Sequence, residues 1–260
     1  MKKEFTMVLM LLVIGVTAAY GQITDTITGS GDFPDGTTVN VSSPPSLNAV
    51  GVDPFSYGTI INFLGSSVIN VDGWMGIDIM RNDCIITFAG VANIIVGNSD
   101  TNNSAGGLRL HRERNSVSFL SDLNLKVTDY GTNSITGIEG LDNTYITVAG
   151  VADVTVEGSK NSDAVVQGIN GYSTLSFSDL TLKVTNPGTG YTMGIIIGED
   201  NSSVIVNGVA DITINVTNKE NASTVYGIIS IYANEVSFGA GSSVKINSSG
   251  TGPVYGVYIM

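Results

Sequence analysis

The chain has 260 residues, with 11 Lys+Arg against 23 Asp+Glu and a formal charge of -12. An acidic balance of this size repels phosphate and anionic lipid, which argues against nucleic acid as a partner. Only 13% of residues are charged and mean hydropathy is +0.25, so Val, Ile and Leu suffice for a long core and the chain is not of the disordered class.

The first element is residues 1–21. Lys2 and Lys3 precede an apolar run from Phe5 to Val16, which is followed by Ala19-Tyr20-Gly21. The run is short for a membrane span, and the small residues suit cleavage before Gln22, the pattern of a Sec-type signal peptide. The expectation is an exported protein, at the cell surface or outer membrane or in the extracellular medium. Cys84 is the only cysteine, so no intramolecular disulfide supports the fold in an oxidising compartment. Residues 22–56 lack regularity and contain "SSPPS" from Ser42 to Ser46. They read as an N-terminal cap region with one strand, Thr38 to Val41, because an open solenoid end exposes unpaired strand edges.

From Tyr57 onward the sequence repeats. Phe88, Phe119, Val148, Phe177, Val206 and Phe238 recur at intervals of 31, 29, 29, 29 and 32 residues, each preceded two residues earlier by Ile86, Val117, Ile146, Leu175, Val204 or Val236. A period near thirty marks a solenoid coil. Within a coil the apolar residues alternate, as in Leu123-Asn124-Leu125-Lys126-Val127, the two-residue period of a strand. A third strand per coil is marked by Gly before an aliphatic residue, from Gly76-Ile77 through Gly107-Leu108 and Gly137-Ile138 to Gly256-Val257. That glycine provides either a positive-φ bend or a close approach of backbones. Strands of successive coils should stack in parallel, giving an all-β, right-handed parallel β-helix of about seven three-strand coils over 57–260.

Four residues before each anchor stand Cys84, Asn115, Thr144, Ser173, Ser202 and Asn234, a column of small or polar residues fit to bond a bent backbone. Cys84 belongs to that column, and no base column accompanies it as a catalytic thiol requires. The phrases "GVANIIV", "GVADVTV" and "GVADITI" lie 60 and 58 residues apart, with "SDLNLKVTDYGT" and "SDLTLKVTNPGT" between them, 57 apart. Coils therefore repeat in pairs, and the second strand of odd and even coils enters from slightly different turns.

A signal peptide followed by a Gly/Asn/Ser/Thr-rich solenoid with coils such as "VAGVADVTVEGSKNS" resembles the passenger region of bacterial autotransporters and related surface adhesins. The resemblance implies export and display as a stalk, and carries over no catalytic motif. Autotransporters end in an outer-membrane barrel, and nothing after Phe238 supplies its strands. The chain reads as a truncated passenger or as a free secreted solenoid.

Chemistry is sparse. Asp153 and Asp211 occupy one outward second-strand position, with Asn93, Asn124 and Thr181 in the other coils, and two coils separate them by roughly 9.6 Å. That is near the upper limit for an inverting carboxylate pair. The paired repetition accounts for the spacing, and the clustered aromatics and further acids of a cleft are missing. The segment "LRLHRERN" holds the main basic cluster. Arg109 falls in an outward third-strand column with Asp78 and Glu139, where alternating charges compensate; His111, Arg112 and Arg114 in the following turn are ligand-contact candidates for an anion.

Continuing that column gives Asn170, then Ile196, Ile229 and Tyr258, an apolar stripe expected to contact a partner such as further coils, a barrel or a second molecule. Polar turns such as Asn98 to Ser104 vary between coils and suit a glycan or a host or cell-surface protein. No metal site and no cofactor is expected: one His and one Cys stand without a calcium-type repeat, and "GSGDFPDG" at Gly29 lacks the strand-helix context of phosphate binding. The expected function is a non-enzymatic stalk or adhesin, with a carbohydrate-active β-helix enzyme, a lyase or glycoside hydrolase, as the alternative.

Overall fold

A computed structural model describes residues 22–42, 49–98, 104–131, 133–160, 163–198, 202–231 and 235–260; residues 1–21, which read as a signal peptide, and Asn234 lie outside the described residues. All regular elements described are β-strands, and they pair in parallel from coil to coil. The first face comprises Gly31–Phe33, Ile60–Phe63, Ile85–Phe88, Ser116–Phe119, Ser203–Val206 and Glu235–Phe238. The second comprises Thr37–Ser42, Ser67–Asp72, Ala92–Asn98, Leu123–Asp129, Ala210–Val216 and Ser243–Ser248. In two coils these faces are one strand, Tyr145–Glu157 and Thr174–Asn186, which turns the corner at an irregularity between Val148 and Val151, so both faces form one sheet.

The third face is a separate sheet of eight strands: Val50–Val52, Met75–Ile79, Ala105–Leu110, Ile135–Gly140, Val166–Gly171, Thr192–Ile197, Val225–Ser230 and Val254–Ile259. Eight strands stacked in order amount to about seven turns of a parallel β-solenoid, roughly 34 Å along the axis at the usual strand spacing.

The anchors stack as their period implies. Phe88 pairs with Phe119, Phe119 with Val148, Val148 with Phe177, Phe177 with Val206 and Val206 with Phe238. The column also runs the other way, to Phe63 and Phe33. The rings of Phe33, Phe63, Phe88 and Phe119 lie stacked with centroids 5.3, 4.5 and 4.8 Å apart. Inward alternation places one large apolar side chain per coil at the same height, and identical rings stack at the strand spacing. Residues 22–56 carry more than the one expected strand: they hold Gln22–Ile23, Gly31–Phe33, Thr37–Ser42 and Val50–Val52, in register with the coils that follow. Ile27 bridges to Val52 and is buried, so a partial coil closes this end of the core.

The third-face glycines are places of close approach. A Cβ on Gly107 would lie 2.5 Å from the Gly137 carbonyl oxygen, one on Gly137 2.5 Å from that of Gly168, and one on Gly168 2.6 Å from that of Gly194. Second-face side chains such as Leu125, Val156 and Leu182 press on the same positions from inside. The φ > 0 alternative does not hold, since the positive-φ glycines are Gly36, Gly58 and Gly241.

The alternating phrases are two halves of one corner. Asp122 and Asp179, from the two "SDL" copies, accept hydrogen bonds from the backbone N–H of Val151 and Val209, in the two following "GVA" copies, at 2.9 and 2.7 Å. A Cβ on Gly150 or Gly208 would fall 2.2 Å from the same carboxylate oxygens, so the glycine makes room for the aspartate of the coil beneath. Asp35 does likewise for Ser66, beside Gly65. The pairs Asp35–Gly65, Asp122–Gly150 and Asp179–Gly208 thus give neighbouring coils complementary corners, in keeping with the paired repeat.

The polar corner column is buried: Cys84, Asn115, Thr144, Ser173 and Ser202 are all below 5% exposed. Asn115 Oδ1 accepts the Cys84 N–H at 2.9 Å, whereas the Thr144 and Ser173 hydroxyls have no partner among the described residues, so the ladder is formed only in part. A second buried polar corner was not read from the sequence. There Asn186 Nδ2 donates to Gly190 O at 2.9 Å and Thr192 Oγ1 at 2.8 Å, and Asn221 Oδ1 accepts the Ser223 N–H at 2.8 Å. Its residues recur at uneven intervals because the turns it serves differ in length.

Candidate functional site

The outer third face carries the charged column in the register expected. Asp78, Arg109, Glu139, Asn170, Ile196, Ile229 and Tyr258 pair in that order. Arg109 grips Asp78 through Nε to Oδ1 at 2.9 Å and Nη2 to Oδ2 at 2.7 Å, and its guanidinium carbon lies 4.0 Å from the centre of the Trp74 ring. Asn170 Nδ2 donates to Glu139 Oε1 at 3.0 Å. Burial raises Glu139, yet His111, Asn170 and Arg109 together hold it below the ordinary glutamate value. Next to Asp78 stands Asp53, immediately after Val52, which pairs with Ile77. Burial and then the Asp78 charge push its carboxyl up to about 6, against a lesser pull from Arg81 and Arg109. Gly51-Val52 carries the third-strand signature, so Asp53 was within reach of the sequence had the column been followed back into the cap region.

The apolar end of this column needs correction. Ile196 and Ile229 are each 6% exposed, so they form no open stripe for a partner. The register does not slip: Ile196 pairs with Asn170 and with Ile229, and the same column is also buried at Asp78 and Asn170, so an outward position on this face is not an exposed one. Tyr258 is partly exposed and packs with Tyr226 and Tyr255 at ring distances of 5.5 and 5.2 Å.

The three basic-turn residues part company. His111 is half-buried, its Nε2 3.7 Å from Glu139 Oε2, an ionic contact only when the imidazole is protonated. Arg114 is bound to Asp83 by Nε and by Nη2, the latter at 2.9 Å, and lies 3.3 Å from Glu113. The same pairing lowers the Asp83 carboxyl and raises the guanidinium. Arg114 occupies a left-handed position shared by Gly58, Asp83 and Asn143 in neighbouring coils, φ being 62 for Arg114 and 68, 63 and 57 for the others. Of these three, Arg112 alone has no ion pair among the described residues; its backbone N–H reaches Asp142 Oδ2 at 3.4 Å.

Arg112 lines a groove of about 1020 Å³ along the corner between third and first faces. Its wall includes Tyr57, Arg81, Arg112, Asp142, Tyr145 and Tyr172, with Asn82, Asn143 and Thr174 among the polar groups between them. The tyrosines flank the polar corner column, and their common location was not legible because the turns preceding them differ in sequence. Asp153 and Asp211 lie elsewhere, exposed on the second face in the row Asn93, Asn124, Asp153, Thr181, Asp211 and Ser243. Ser243 Oγ donates to Asp211 at 3.0 Å, and Asn124 Nδ2 to Asn93 at 2.9 Å. Among the described residues no three His, Cys, Asp or Glu side chains gather as a metal site.

These features define a class, the parallel β-solenoid, with a polar, tyrosine-lined corner groove. No protein-family model matches the chain, and neither curated proteins nor solved structures give a significant match.

Proposed function

We propose that the chain is an exported, non-enzymatic β-solenoid that serves as a surface stalk or adhesin and binds an extended glycan in the corner groove. The observation that carries this reading is the groove itself: it runs along the axis across several coils, lined by Tyr57, Tyr145 and Tyr172 with Arg81 and Arg112 between amide and hydroxyl groups. Tyrosine faces stack on sugar rings while their hydroxyls and the neighbouring polar groups exchange hydrogen bonds with sugar hydroxyls. The acids near the groove are engaged with Arg114 or with backbone, which favours holding a polymer over cutting it.

The test is titration of the purified protein with a panel of soluble glycans, with product analysis of each mixture. Saturable binding that Tyr145→Ala together with Arg112→Gln weakens about tenfold or more, with the polymer intact, is the expected result. Depolymerisation that is lost on Asp153→Asn or Asp211→Asn would replace this reading with the enzymatic one.

A further inference from the structure

The second face presents a row two residues along the strand from the Asp153 row. Lys126 pairs with Thr155, Thr155 with Lys183, Lys183 with Thr213 and Thr213 with Lys245. Lysine thus occupies every second coil, at intervals of roughly 9.6 Å, twice the strand spacing. Three of the five lysines beyond residue 21 stand in this single row. All three are exposed, and none forms an ion pair among the described residues. The adjacent row is out of phase: Asp153 and Asp211 lie in the coils where the lysine row has Thr155 and Thr213.

Alternation avoids stacking like charges on neighbouring strands. Paired repetition of coils also produces it. Neither explains why lysine persists in the last coil, where the "SDL" phrase of the two earlier lysine coils has become Ala240-Gly241-Ser242. The corner has changed and the lysine has not.

We propose that this face is a docking strip for a linear, uronate-containing polysaccharide with one carboxylate per disaccharide. An extended disaccharide is about as long as two coils are high, so successive carboxylates meet successive lysines. Asp153, Asp211 and Asn124 in the neighbouring row accept hydrogen bonds from the hydroxyls between the charges. Nucleic acid does not fit the row, because its phosphates recur about every 3.4 Å along each strand. The strip lies apart from the corner groove, and its occupancy does not depend on what the groove holds.

The experiment compares hyaluronan, with one carboxylate per disaccharide, polygalacturonate, with one on every sugar, and dextran, with none, as size-matched ligands in low salt. Hyaluronan is expected to bind tightest. Lys126→Thr with Lys183→Thr and Lys245→Thr, residues already tolerated in this row, is expected to weaken it about tenfold without changing the melting temperature. Lys160→Thr with Lys219→Thr, outside the row, should leave it unchanged. Thr155→Lys with Thr213→Lys fills the row at every coil and is expected to shift preference toward polygalacturonate, which keeps the test decisive even if the triple variant unfolds. Equal binding of the two acidic polymers, equal loss in both lysine variants, or no binding of hyaluronan overturns the proposal. Tyr145→Ala is the control for the groove: a loss of hyaluronan binding there and not in the lysine triple would move the ligand to the groove and refute the strip.

Discussion

Asp53 shows how a single position is governed by its place in a column. Stacked on Asp78, which Arg109 already neutralises, its carboxyl has burial and a like charge to contend with and only partial relief from Arg81. Its value is raised from 3.8 to about 6, so between those values the native state binds more protons than the unfolded one. Its contribution therefore favours folding at low pH and is lost as pH rises through about 6. Urea unfolding of Asp53→Asn against the parent should show little difference near pH 4 and a growing advantage to the variant up to pH 7. A difference that is flat with pH would show that Asp53 ionises as it does in the unfolded chain. Glu139, held low in the same column, acts with the opposite sign below the ordinary glutamate range, and cancels in this comparison because both proteins carry it.

At the scale of the element, the third-face strand depends on having no side chain at one position. A Cβ on Gly137 would meet the Gly168 carbonyl at 2.5 Å and Val156 Cγ2 at 2.8 Å, and neither backbone nor core can withdraw without parting the coils. Gly137→Ala is expected to cost about 2–4 kcal/mol in chemical denaturation, as overpacking against backbone does. Gly97, in a second-face strand, has open space within 4 Å of its Cβ position, so Gly97→Ala should be neutral or slightly stabilising. Equal losses at both sites would mean that glycine is needed for its flexibility and not for its size. The recurrence of Gly before Ile, Leu or Val was plain in the sequence; which of its two possible reasons applied was not. Neighbouring coils decide that, since the clashing atoms come from the next turn and from the opposite face.

For the whole molecule, each coil is held by the coils on either side, and the two ends differ. Ile27 and Val39 are buried beneath the opening half-coil. In the last coil Val257 is 60% and Ile259 74% exposed, although their column partners Ile228 and Ser230 are buried. With nearest-neighbour interfaces carrying most of the stability, that coil should open first. Amide hydrogen exchange is expected to be faster in Glu235–Phe238, Ser243–Ser248 and Val254–Ile259 than in Ser116–Phe119, Leu123–Asp129 and Ile135–Gly140, grading inward from the exposed coil. Uniform protection would indicate that this face is covered in solution.

What the sequence by itself determined is the architecture of the repeat: its period, its three strands per coil, its buried anchors and the register of its outward rows. These follow from side-chain alternation and from the need of each coil to bury the same face, both of which are written locally. The fit between coils was decided only in three dimensions. The aspartates of one phrase cap the backbone beside the glycines of the next, the residues read as a cap continue the core, and Ile196 and Ile229 are buried although their column faces outward. The same holds for function: Arg109 and Arg114 are bound to Asp78 and Asp83, leaving Arg112 at the groove. Contacts between residues some thirty positions apart depend on distances and side-chain reach that a linear pattern does not carry, and those contacts choose which charges are spent inside the fold and which stay open at the surface.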